Sequence, residues 1–405
     1  MRRRFMSNSL FDINNYLTIV ALEDGLTAKL STNACEYCVD GDGNWKTLTA
    51  ATNTKAINKG QTLSFRGNLT PNSINGIGTF TISKSCNLEG NCMSMLFRND
   101  AANNFSLSGK DYAFCKLFYD CTTIKGVSSG FLSTTTLANS CYQSMFYGCT
   151  SLTTAPELPA TTLVSNCYYK MFYGTNILPN CSNIDFSSVF VVSSGGLKGL
   201  FSGTKVTDSD LERILPKNSN GKYCLPATTL ATNCYGDMFE GCTSLTTAPE
   251  LPATTLTYAC YDSMFRGCTS LTTAPELPAT TLVNSCYQSM FYGCTSLTTA
   301  PELPATTLVS NCYYKMFYGC TSLTTAPELP ATTLVSWCYG YMFYGCSKLN
   351  YIKAMFTTTP STLYTSNWVQ GVASSGKFIK NKNATWNVTG ANGIPSGWSI
   401  QSAAQ

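Results

Sequence analysis

MFYGCTSLTTAPELPATTL, residues 290–308, decides the fold, because nearly the same string begins again at Met145, Met238, Met264 and Met316. The first cysteine of each unit falls at Cys234, Cys260, Cys286, Cys312 and Cys338, and the second at Cys242, Cys268, Cys294, Cys320 and Cys346. Both series advance by 26 residues, as do Leu245, Leu271, Leu297, Leu323 and Leu349. Cys141, Cys149 and Cys167 keep the same step upstream, and degenerate units lie at KLFYDCTTI (116–124), SMLFRND (94–100) and GLFSGTKV (199–206). One phenylalanine per unit (Phe97, Phe118, Phe146, Phe172, Phe201, Phe239, Phe265, Phe291, Phe317, Phe343) counts about ten turns. A period of this length marks a repeat solenoid, in which no unit buries its apolar face alone.

Inside a unit, Cys286, Met290 and Cys294 recur at i, i+4, i+8, which predicts a short helical turn with one buried face. Gly293 should end it in a left-handed conformation. The following Thr- and Pro-rich piece predicts a short strand near 297–299, a corner set by Pro301 and Pro304, and a second extended piece near 306–308. Leu297, Ala300, Leu303 and Leu308 should face inward. Stacked copies would then form ladders of identical side chains about 4.8 Å apart.

MFxGCxSLxxxPxLPxxxL resembles the BspA-like (Treponema pallidum-type) leucine-rich repeats, whose units carry an aromatic-x-x-Cys-x-x-Leu core. The resemblance covers about residues 91–356. It implies a leucine-rich-repeat solenoid of α/β type, and an association with bacterial surface proteins and adhesins, with similar arrays in phage-encoded proteins of gut bacteria. The 26-residue unit is longer than the family's common one, and the Ala-Pro-Glu-Leu-Pro segment departs from its pattern.

The flanks read differently. An N-terminal arm (1–14) precedes YLTIVAL, LTAKLS, CEYCVDGDGNWKTL and QTLSFRGNL, alternating segments that predict a β-sandwich-like unit over 15–85 with a hairpin turn at Asp40-Gly41-Asp42-Gly43. Asp40 and Asp42 suit a plain turn better than calcium, since no Glu closes the loop. The repeats should run over 86–356, interrupted irregularly at 177–222, where Thr207-Asp208-Ser209-Asp210 opens a short helix stopped before Pro216. Residues 357–405, carrying Trp386 and Trp398, predict a β cap.

Composition excludes several functions. There is no histidine among 405 residues, which removes His-based acid–base and triad chemistry and most catalytic zinc sites. Phosphate-cradling glycine motifs are missing as well. Charged residues are only 12% and net charge +4, too weak and dispersed for nucleic acid. No apolar run is long enough for a membrane-spanning segment. The start MRRRFMSNS lacks the apolar region of a secretory leader. Glu250, Glu276, Glu302 and Glu328 should form a column, read as a solvated face, with cation or basic-partner binding and an all-carboxylate glycosidase as the alternatives. The 21 cysteines fall mostly on two columns. Buried thiols acting as small apolar filler suit that regularity; disulfides between turns and a metal ladder are the alternatives. No enzyme activity, cofactor or metal is therefore expected.

What varies between copies points outward. Around the first cysteine and two residues before the second, the copies differ at Tyr258, Asp262, Arg266, Gln288, Tyr292, Tyr314, Lys315, Tyr318, Trp337, Tyr341 and Tyr344. Packed positions resist change and exposed ones do not, so these residues should share one outer face suited to a protein or glycan partner on a cell surface; neutral drift of a surface would give the same variation. The expected function is recognition or adhesion by a surface, extracellular or virion-associated protein. The alternative is a structural strut, decoration or self-assembling fibre, with a homo-oligomer or larger assembly in place of a ligand.

Overall fold

The computed structural model describes residues 12–176, 185–187, 189 and 191–403. Most of the N-terminal arm and the first part of the interruption lie outside the described residues.

The repeat units do not form helical turns. Along residues 283–294 alternate amides close i to i+3 turns: Cys286, Gln288, Met290, Tyr292 and Cys294 each donate to the carbonyl three residues back. The amides between them leave the unit altogether. Ser285, Tyr287, Ser289, Phe291 and Gly293 donate to Ser310, Cys312, Tyr314, Met316 and Tyr318 at 2.7–3.2 Å, one repeat further on. The backbone is left-handed every fourth residue, at Ser285 (φ 59°), Ser289 (φ 53°) and Gly293 (φ 72°). A right-handed helix cannot pass through such residues, whereas a turn of type II needs one at its third position. The four-residue spacing of Cys286, Met290 and Cys294 is thus the period of a turn ribbon. The left-handed Gly293 is as expected; the two non-glycine positions before it were not legible as such.

The same ribbon recurs with left-handed residues at 112/116/120, 140/144/148, 166/170/174, 195/199/203, 233/237/241, 259/263/267, 311/315/319 and 337/341/345. Within the stretch read as an interruption, residues 193–204 form one of these ribbons and bond to both neighbours.

Each ribbon buries two columns of rings. Phe118, Phe146, Phe172, Phe201, Phe239, Phe265, Phe291, Phe317 and Phe343 stack with centroids 5.6–6.4 Å apart. Phe97 does not join them. It ends α1 (Ser94–Phe97), and Phe80 stacks on Phe118 in its place. Beside this column Tyr235, Tyr261, Tyr287, Tyr313 and Tyr339 stack at about 6 Å, all at most 1% exposed.

The extended parts are slighter than expected. Thr247, Thr273, Thr299 and Thr325 pair in single parallel bridges rather than strands, because Pro301 and its counterparts have no N–H to extend them. Leu297, Leu303 and Leu308 are buried as expected, but Ala300 is only half-buried, and Pro301 and Ala305 take the interior places. Besides the short parallel pair β9 (Thr162–Leu163) and β10 (Val191–Val192), full strands form where the bridge column ends, as β11 (Tyr351–Ala354), β12 (Lys377–Lys380) and β13 (Ser399–Ser402) pair in parallel. Trp368 closes the ring columns and anchors its indole N–H on the Gly393 carbonyl at 2.8 Å, while Trp386 stacks on Phe356.

At the other end β1 (Leu17–Ala21), β3 (Cys35–Val39), β4 (Lys46–Leu48), β5 (Thr62–Arg66), β7 (Cys86–Gly90) and β8 (Ile124–Val127) form one sheet, ordered β4-β3-β5-β1-β7-β8. β2 (Ala28–Leu30) and β6 (Phe80–Ile82) pair separately. Strands β7 and β8 lie past residue 85 yet continue the sheet, the last pair in parallel, so the first strands and the repeats share hydrogen bonds. Asp40 sits in the β3–β4 turn, its carboxylate accepting from the Thr62 amide and the Gln61 side chain. The expected helix after Thr207 is α2 (Asp208–Ile214), with the Thr207 amide donating to the Asp210 carboxylate at 3.0 Å.

Candidate recognition face

The second cysteine column answers why every unit repeats that residue. Cys242, Cys268, Cys294, Cys320 and Cys346 are buried, and each thiol donates to a phenylalanine carbonyl of the preceding unit at 3.0–3.1 Å. Where the column lacks cysteine, Thr175 and Thr204 stand in it and donate from their hydroxyls at 2.9 and 2.7 Å to Phe172 and Phe201 of their own units instead. The site wants a small side chain carrying a donor. Among the described residues all cysteines are free and no group of His, Cys, Asp and Glu is placed to hold a metal ion. Burial pushes the Cys286 thiol up to about 12, and Cys294 further still, so neither is a reactive thiolate.

The outward side of the ribbon carries the variable residues. One column runs Tyr119, Tyr147, Tyr173, Ser202, Glu240, Arg266, Tyr292, Tyr318, Tyr344. Its two tyrosine triads stack at 4.4–4.7 Å with nearly parallel rings. Between them Ser202 donates to Glu240, Arg266 pairs with Glu240 at 3.7 Å, and the Arg266 guanidinium lies 5.0 Å from the centre of the Tyr292 ring.

A second group gathers at Tyr314, Lys315, Trp337 and Tyr341. Tyr314 meets Trp337 and Tyr341 edge-to-face at 5.7 and 6.0 Å, and the Lys315 ammonium lies 5.0 and 5.6 Å from the Tyr314 and Tyr341 rings. Gly340 makes room for this packing, since a Cβ there would come within 2.8 Å of the Trp337 ring. Tyr341 also approaches Tyr344 at 6.0 Å, which joins the cluster to the column.

Ten of the eleven residues singled out by sequence fall into these two groups or beside them. Asp262 and Gln288 are half-buried and share a hydrogen bond beside the Lys198–Asp237 pair. Tyr258 stands apart, half-exposed at the head of its ribbon. The expectation that every variable position is exposed fails at Ala259, Ser263, Ser285 and Ser289, all buried. These are left-handed positions, where a short side chain tucks under the next unit, and only long ones such as Lys315, Trp337 and Tyr341 reach out. Sequence reasoning missed Tyr119, Tyr147 and Tyr173, although CYYKMFYG at 167–174 repeats at 312–319 and carries the signal.

The arrangement defines a scaffold of stacked repeats with a polar-aromatic outer face. Residues 232–365 match the BspA type leucine-rich repeat region in six copies, so this part of the chain is similar to the BspA-type repeats. No curated protein matches the chain. No helix of the described residues is long and apolar enough to cross a membrane.

Proposed function

We propose that the protein is a non-catalytic recognition or adhesion protein, acting at a cell surface, outside the cell or on a virion. In this reading the repeats form a solenoid of about ten turns between an N-terminal β unit and a C-terminal β cap, and its ribbon face meets a protein or glycan partner. The observation that carries it is the division within each ribbon. Cys286, Tyr287, Met290 and Phe291 repeat unchanged or nearly so and are buried, while the adjoining outward positions read Asp262, Gln288, Tyr314 and Gly340, or Glu240, Arg266, Tyr292 and Tyr318. A fixed backbone with changeable, aromatic-rich outer columns is the composition of a binding surface. Combined Tyr292→Ala, Tyr318→Ala, Trp337→Ala and Tyr341→Ala should abolish binding of the purified protein to its target cells; unchanged binding overturns the reading.

A second reading, a strut or self-assembling fibre, is favoured by β13. All four of its residues are exposed, and it ends a parallel ladder with one edge unpaired among the described residues. Light scattering at the highest soluble concentration tests it, and a monodisperse monomer would exclude it.

A further inference from the structure

We propose that Tyr314, Lys315, Trp337 and Tyr341 form a binding site for a carboxylate-bearing sugar. The proposal rests on the recognition reading above and names its ligand. Two observations support it independently: what the cluster contains, and how it differs from its own duplicate within the chain.

The cluster contains a held cation with no acid to answer it. Among the described residues Arg66, Arg98, Lys198, Lys222, Arg266 and Lys353 each pair with a carboxylate, and Lys315 does not. Its ammonium is instead placed against two tyrosine rings. Beside it Trp337 is braced by Tyr314 and by the bare backbone of Gly340, yet keeps 36% of its surface exposed. Through Tyr314 the ammonium and the indole are held within about 11 Å of each other, a span of one or two sugar rings. The electron-rich face of an indole receives the C–H face of a pyranose, and the ammonium takes its carboxylate. Trp337, Lys315 and Tyr341 all hold left-handed backbone, at φ 56°, 56° and 54°. That is the ribbon's regular conformation at these columns, and it is from them that long side chains reach outward.

The duplicate supplies the contrast. CYYKMFYG at 167–174 places Lys170 against Tyr169 and Tyr173 just as Lys315 lies against Tyr314. The unit that follows it, however, offers Gly195, Lys198 and Gly199 where the later copy offers Trp337, Gly340 and Tyr341. The earlier copy therefore has the lysine on its tyrosines but no indole beside it. An extended acidic peptide would use the ammonium alone, so a need for Trp337 separates sugar from peptide.

The test is calorimetric titration of the full chain with trigalacturonic acid and 3′-sialyllactose, against methyl-esterified trigalacturonic acid, lactose and hexaglutamate. The substitutions are borrowed from neighbouring units so that the ribbon still forms: Lys315→Ser, as at Ser289, and Trp337→Asn, as at Asn311, with Lys170→Ser as control. Binding of at least one acidic sugar is expected, weakened tenfold or more by each of the first two changes and unaltered by the third. Equal binding of the neutral sugars, binding unaffected by Trp337→Asn, preference for hexaglutamate, or no binding of either acidic sugar would each overturn the proposal. In the last case, loss of cell binding in the fourfold alanine variant would still uphold the recognition face, so the two readings fail separately.

Discussion

The turn ribbon makes a prediction whose sign opposes the one a helix makes. Ser289 lies mid-ribbon at φ 53°, is buried, and has no side-chain hydrogen bond among those described. Replacing it by alanine or by glycine removes the hydroxyl in both cases, and the comparison between the two isolates the backbone. A residue with a Cβ in left-handed backbone lies ~1–2 kcal/mol above glycine. Glycine gives back ~0.4–1 kcal/mol through the greater freedom of the unfolded chain. Ser289→Gly should therefore be ~0.5–1 kcal/mol more stable than Ser289→Ala. In a helix the order reverses, with alanine favoured by ~0.8–1 kcal/mol. The chain already uses glycine at this column, at Gly199 (φ 63°). Urea titration followed by circular dichroism reads the difference, and combining the exchange at Ser263 and Ser289 should roughly double it. An alanine variant more stable than the glycine variant would refute the ribbon.

Four further outcomes follow from packing and charge. Cys294→Thr should cost under ~1.5 kcal/mol, since Thr175 and Thr204 already occupy that column, while Cys294→Leu should cost ~1–3 kcal/mol by overpacking; equal midpoints in urea would deny the column its donor role. Gly340→Ala should drive the Trp337 ring from its seat, seen as a shift in its near-ultraviolet circular dichroism, and an unchanged signal would count against the packed cluster. Iodoacetamide at pH 8 should label half-exposed Cys224 before the column thiols, checked by peptide mass spectrometry, and equal labelling of Cys286 or Cys294 would contradict their burial. Asp262 is pushed up to about 6, chiefly by burial and further by the nearby Asp237. The folded state then holds a proton that the unfolded state has released, so this group's contribution is present below about pH 4 and lost as pH rises through 6; Asp262→Asn should flatten that decline in urea midpoints, and an unchanged slope would refute it.

Much of the molecule was legible because repetition is a property of sequence. The 26-residue step locates the stacked columns, and spacing alone marks Cys286, Met290, Cys294 and Leu297 as interior. The local conformation was hidden, since a helix and a ribbon with a four-residue period bury the same set. What separates them is the sign of φ at Ser285 and Ser289, and those positions hold Ser, Asn, Asp, Lys, Ala, Tyr or Trp as well as glycine. Strand content was overestimated because Thr-rich segments favour extension, while Pro301 and Pro304 limit pairing to single bridges. For the outer columns, variation between copies pointed to Tyr292, Trp337 and Tyr341, but could not tell that Ser285 and Ser289 vary under cover. Nor could it show that Gly340 is a glycine because Trp337 lies across it.

The ribbon also explains how copies can diverge without weakening the stack. All five amides that bind one unit to the next are backbone groups, and the buried rings sit on other residues than the ones that change. A substitution at Asp262, Gln288 or Tyr314 touches neither set. A substitution at the left-handed positions disturbs the backbone by about 1–2 kcal/mol, small against the interfaces that each unit makes on both sides. Lys315, Trp337 and Tyr341 each carry that strain, although asparagine, serine and glycine occupy the same columns elsewhere. Drift alone would be expected to settle on the easier residues. Bulky left-handed residues recur at Tyr112, Lys116 and Lys170, but Lys315, Trp337 and Tyr341 all gather on one ring, that of Tyr314, and such convergence is what selection for a particular outer surface would leave.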